Sequence, residues 1–115
     1  MIQVTTEDTK EGVRLSVLGH AEQTDEGPLV CAGTSALMMT LNAYLVPVEA
    51  YKDRDVDGCG DMVLDVPFHR LPQLEFVLMG LHLIACAYDG HFEFDLRDTC
   101  FKEPKQWNQL VEMSL

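Results

Sequence analysis

The stretch from Phe76 to Ala87 limits the folds open to this chain more than any other. Phe76, Val77, Leu78, Met79, Leu81, Leu83, Ile84, Ala85, Cys86 and Ala87 are interrupted only by Gly80 and His82. Pro72 precedes it, and proline suits the first turn of a helix, where a missing N–H removes no hydrogen bond. The pattern predicts a helix over about residues 72 to 88 that is apolar nearly all round, and such a helix has to be covered on every side. The chain has 115 residues, 47% of them hydrophobic. That suffices for one folded domain and one core, not two. A single sheet covers one side of a helix, so another helix or a second copy of the chain has to cover the rest.

The remaining segments supply the sheet and the other helix. Residues 2 to 8 alternate weakly, with Ile2 and Val4 on one face. Asp8 to Gly12 has turn composition. Val13, Leu15 and Val17 then alternate with Arg14, Ser16 and Leu18, the mark of a half-buried strand, and the two strands read as a hairpin. Leu29, Val30, Gly33, Ala36, Leu37, Leu41, Tyr44 and Leu45 recur at helical spacing, predicting a helix from about Pro28 to Leu45 that stops before Pro47. Met62, Leu64 and Val66 alternate with Val63, Asp65 and Pro67. Phe92, Phe94 and Leu96 alternate with Glu93, Asp95 and Arg97 after a turn at Asp89-Gly90. The order β-β-α-β-α-β predicts an α+β domain, with a small, largely antiparallel four-stranded sheet and two main helices on one face. Residues 1–98 form this single domain. Residues 99–115 are a C-terminal extension, in which Trp107, Leu110 and Val111 are spaced for a short helix after Pro104.

Eight basic and nineteen acidic residues give a net charge of −11. That argues against direct nucleic acid binding. It suits a basic protein partner, and equally an acidity that serves only solubility. Met1-Ile2-Gln3-Val4-Thr5 lacks the charged and apolar regions of a signal peptide. No apolar run has the length and flanks expected of a membrane span. A cytoplasmic protein without membrane contact is expected. Cys31, Cys59, Cys86 and Cys100 show no paired spacing and read as reduced thiols.

Two groupings resemble metal sites and fall short of them. Asp53, Asp55 and Asp57 alternate like the start of a calcium loop, with Gly58 at its sixth position, but the twelfth is Leu64 where a glutamate is required. His82 and Cys86 share a helix face, with His91 nearby, yet their spacing matches no structural zinc signature. They read as a core cysteine beside a partly buried histidine. No metal and no cofactor is assigned.

The chemistry concentrates between Gly19 and Ser35. Gly19-His20-Ala21 is followed by a polar loop of Glu22, Gln23, Thr24, Asp25, Glu26, Gly27 and Pro28, then by Cys31-Ala32-Gly33-Thr34-Ser35-Ala36. Cys31 is expected in the first turn of the helix, where outward N–H groups and the helix dipole favour a thiolate. With His20 on the preceding loop, a thiol nucleophile and its base are both at hand. Ser35 lies one turn further along the same face. The same residues also fit a small buried cysteine and a surface histidine with no joint task.

Gly19-His20-Ala21 with Leu29-Val30-Cys31-Ala32-Gly33-x-Ser35-Ala36 resembles the bacterial ribosomal-processing cysteine protease family, Prp. In that pattern a Gly-His-Ala follows a strand, and Gly-x-Asp-Ile-Val-Cys-Ala-x-x-Ser-Ala opens the next helix. The resemblance covers roughly residues 1 to 98 and is close only in the central stretch. It implies that His20 and Cys31 are the catalytic pair, with Gly19 and Ser35 in support. It further implies a comparable fold, a homodimer, and a protein substrate: the N-terminal extension of a large-subunit ribosomal protein or a phage structural protein with a similar cleavage sequence. Two departures stand out. Eleven positions separate His20 from Cys31, where the family has twelve. Pro28 replaces the family aspartate, whose task is then vacant or falls to Asp25 or Glu26. The leading expectation is a cysteine endopeptidase whose His20–Cys31 loop is mobile. The competing one, motivated by Pro28 and the shorter loop, is a non-catalytic dimeric binding or assembly protein of the same fold. In either case the 76–87 segment is expected at a homodimer interface.

Overall fold

A computed structural model describes residues 1–45 and 62–96. In chain order these form β1 (Ile2–Asp8), β2 (Gly12–Gly19), α1 (Gly27–Leu45), β3 (Met62–Pro67), a 3-10 turn (Phe68–Arg70), α2 (Leu71–Ala87) and β4 (Phe92–Leu96). The α+β class and the element order are those expected. Cys59, Cys100, Arg97, the Asp53–Asp57 turn, the boundary after residue 98 and the terminal helix around Trp107 lie outside the described residues.

The strands form one sheet in the order β3-β2-β1-β4. β1 and β2 are an antiparallel hairpin that sets Val4 opposite Val17. β3 adds antiparallel to β2, with Leu15 opposite Leu64. β4 lies parallel to β1, with Val4 opposite Phe94. The sheet is therefore mixed, with two of its three pairings antiparallel. The parallel pair follows from the crossover. α2 takes the chain from one sheet edge to the other, and a helical crossover can return a strand parallel to its new neighbour.

Period-two alternation puts Ile2, Val4, Val13, Leu15, Val17, Leu64 and Val66 on one face of the sheet, where they are buried against Val30, Met38 and Leu41 of α1 and Leu74, Val77, Leu78 and Leu81 of α2. The helices approach closely through two glycines. A Cβ added to Gly33 would lie 3.1 Å from Ile84 Cδ1, and one added to Gly80 would lie 2.9 Å from Leu37 Cδ1.

Sheet and α1 together do not enclose α2. Met79 and Leu83 to Cys86 are half-buried, and Phe76 is 75% exposed. By length and composition, α1 and the stretch Phe68–Ala87 also match membrane spans, each with mean hydropathy 1.2. The core helix of a soluble protein passes the same test of length and composition. Both helices pack on the sheet through their buried faces.

Candidate active site

Gly19 ends β2 with φ of +96°, a conformation that costs an L side chain and not glycine. A Cβ there would also strike the Met1 carbonyl oxygen. The turn puts His20 just past the strand, as expected. His20 is exposed, and its carbonyl oxygen accepts a hydrogen bond from the Met1 ammonium at 2.7 Å. The same ammonium lies 2.9 Å from Glu22 Oε1. Its hydrogen bond and charge hold the Glu22 carboxyl below its usual range, against a smaller opposing effect of desolvation.

The loop expected to be mobile is fastened at several points. Thr24 N–H donates to Glu22 O at 2.8 Å, and Gly27 N–H donates to Thr24 O at 3.1 Å. Glu22 N–H donates to His91 Nδ1 at 3.1 Å. His91 is 2% exposed, and its Nε2 lies 3.6 Å from Glu26 Oε2. Its own carbonyl accepts the Ile2 N–H at 2.8 Å, which ties it to β1.

Cys31 is a half-buried free thiol. It opens into a cleft of ≈ 350 Å³, with Ala21 to Thr24 as one wall and Gly27, Pro28 and Cys31 as the other. Its helical position differs from expectation by one residue. α1 begins at Gly27, so Cys31 is its fifth residue and starts the second turn. Val30 N–H already donates to Glu26 O at 3.0 Å, and the Cys31 amide belongs to the ladder that follows. The free amides of a helix start lie one turn earlier. There Gly27 N–H is used by Thr24 O and Pro28 has none, which leaves Leu29 N–H as the helix-start donor, on a residue outside the lining of the cleft.

The cleft unites Cys31 with the chain just after His20, but His20 is not among its lining residues. Ser35 is half-buried, and its Oγ is enclosed with no hydrogen-bond partner among the described residues. Any support it gives to the helix is by packing. Cys86 is half-buried too, and desolvation followed by the charge of Asp89 pushes its thiol up. That disfavours the reactive thiolate. His82 leans over Phe94, with ring centroids 5.7 Å apart, while His91 faces the loop. Among the described residues no group of three or more His, Cys, Asp or Glu is placed to hold a metal ion.

The loop anchor His91 was not legible as such in the sequence. It lies 69 positions from Glu22, and its only local mark is the turn at Gly90, whose φ is +88°. No family model matches the chain, and no curated protein or solved structure does so either. The likeness to the ribosomal-processing proteases therefore rests on the residues quoted for it.

Proposed function

We propose that the protein is a cysteine endopeptidase with Cys31 as nucleophile and His20 as general base. The observation that supports this reading best is the cleft, which opens Cys31 to a peptide beside the start of a helix, with the chain leaving His20 as its wall. His20 takes the proton from Cys31 Sγ, and the thiolate attacks the scissile carbonyl carbon. The C–S bond forms as the carbonyl π pair moves to oxygen, toward which Leu29 N–H is the available helix-start donor. On collapse the C–N bond breaks, and His20 returns the proton to the leaving amine. Water, activated by His20, then hydrolyses the thioester. In the fastened state of the loop the imidazole stands outside the cleft, so this reading requires the loop to move when substrate binds. Apo catalytic contacts are often loose in this way.

The substrate class follows from the resemblance: an extended ribosomal or phage structural protein, met in the cytoplasm by an acidic enzyme. The exposed side of α2, which includes Phe76, supports a homodimer. Incubation of such precursors with the wild-type chain and with Cys31→Ala is the decisive experiment. Cleavage by the first and none by the second is expected. Cleavage by both would remove Cys31 from the mechanism.

The absence of His20 from the cleft lining favours a second reading, a non-catalytic binding or assembly protein. Alkylation near neutral pH separates the two. An active site requires Cys31 to react faster than the other three cysteines, and equal rates at all four favour the binding protein.

A further inference from the structure

We propose that neutral His91 is the positioning residue that fixes the Ala21–Thr24 wall of the Cys31 cleft, and that a second proton on its ring releases that wall. The consequence for catalysis rests on the peptidase reading; the anchoring itself does not.

A backbone N–H can only donate. The His91 Nδ1 that lies 3.1 Å from Glu22 N therefore presents its lone pair, and the proton of the neutral ring sits on Nε2. Nε2 faces Glu26 Oε2 at 3.6 Å. The ring is 2% exposed, so water has little access to replace a lost bond. His91 belongs to the frame, because its carbonyl accepts the N–H of fully buried Ile2. The loop hangs from the frame at this imidazole and at the Met1 ammonium, which holds the His20 carbonyl and the Glu22 carboxylate.

A second proton sets N–H against N–H at Nδ1. The charged groups near the ring are Glu26, whose Oε2 lies 3.6 Å from Nε2, and Glu22, whose carboxylate is held by the Met1 ammonium. Both carboxylates are about half exposed, at 50% and 54%, so water screens them. Acidification thus gives up the backbone anchor and leaves the screened Glu26 contact that is already in place. A glutamate can reach an imidazolium from many backbone positions, whereas an amide bond fixes one. The wall loses its fixed course while its charges stay near.

The test is amide hydrogen exchange by NMR on the full chain, expressed as protection relative to an unstructured peptide. Between about pH 8 and about pH 5, where imidazoles change charge, Glu22 protection is expected to fall about tenfold or more in the wild type. His91→Asn keeps an acceptor near the Nδ1 position and cannot gain the proton, so its protection stays level. His91→Leu is unprotected at both ends of the range. His20→Gln keeps the step. Level wild-type protection, persistence in His91→Leu, or loss of the step in His20→Gln would overturn the proposal. Should His91→Leu fail to fold, His91→Asn decides: a step in that variant sinks the idea, and its absence beside a wild-type step supports it. On a cleaved peptide at about pH 8, His91→Leu is expected to raise KM about fivefold to tenfold, and His91→Asn to restore it. An unchanged KM would refute the role of the wall in substrate binding. A wild type that cleaves nothing defeats the peptidase reading alone, since the exchange data judge His91 independently.

Discussion

The two ends of the sheet carry similar charged groups and use them differently. Where β1 starts and β2 stops, a buried imidazole holds a loop that the strands themselves do not hold. At the hairpin end, Arg14 Nε donates to Asp65 Oδ1 at 2.7 Å, and Arg14 Nη1 lies 3.4 Å from Glu7 Oε1. These three residues are cross-strand neighbours in the β1–β2–β3 register. The Arg14 guanidinium is raised further above its ordinary value, first by its hydrogen bond to Asp65 and then by that residue's charge. Yet its side chain is 43% exposed and that of Asp65 65%. Exposed pairs of this kind add little stability, because water competes for both partners. The ladder decorates a register that hydrophobic alternation already fixes, whereas His91 sets the course of a segment with no register of its own. Position relative to water, not the number of charges, separates the two ends.

The largest way to break this contrast is His20→Ala. Loss of a general base lowers cleavage by about a hundredfold to ten-thousandfold, while the unfolding midpoint should stay in place because His20 is exposed. A well-folded variant with full activity would place the chemistry elsewhere. Next comes Leu15→Ala, in the fully buried centre between the ends. Truncation there costs about 2–5 kcal/mol of stability, read by urea denaturation; an effect near zero would mean that the core repacks around it. Arg14→Ala should leave both cleavage and the urea midpoint where they are. A clear drop in the midpoint would show that the hairpin end matters as much as the His91 end.

Glu22→Gln acts only at the acid end of the pH range. The carboxyl is held down in the folded chain from an ordinary value of 4.5. Its stabilising contribution is therefore present above that value and is lost as pH falls through the lowered one. The variant should flatten the acid limb of stability slightly. An unchanged limb would show that the Met1–Glu22 pair is without weight.

Alternation made the strands legible because only one sheet face is buried: Leu64 and Val66 point in, Val63 and Asp65 out. Proline marked both helix starts to within a residue. The partner of β4 was not legible, since nothing in Phe92–Leu96 distinguishes a place beside β1 from one beside β3; the crossover decides it. The offset of Cys31 came from Gly27, which joins the helix although the proline that follows looked like its start. Arg14, Asp65 and Glu7 meet only once three strands are in register, and His91 meets Glu22 only once β4 has been laid against β1. Contacts that local pattern sets can be read from a chain, and contacts that topology sets cannot.

In the proposed peptidase, the glycine contacts between the helices bear on which of the two partners travels. Gly33 stands two residues after Cys31 and lies against Ile84, while Gly80 lies against Leu37. With no slack between them, α1 and α2 act as a stationary bed for the sulfur. In that reading the stroke that joins thiol and imidazole falls to the short span between Gly19, which is still paired opposite Ile2 in the sheet, and Glu26. A bulkier residue at position 33 or 80 would displace the bed and leave the arm untouched, spoiling the alignment from the side that does not move.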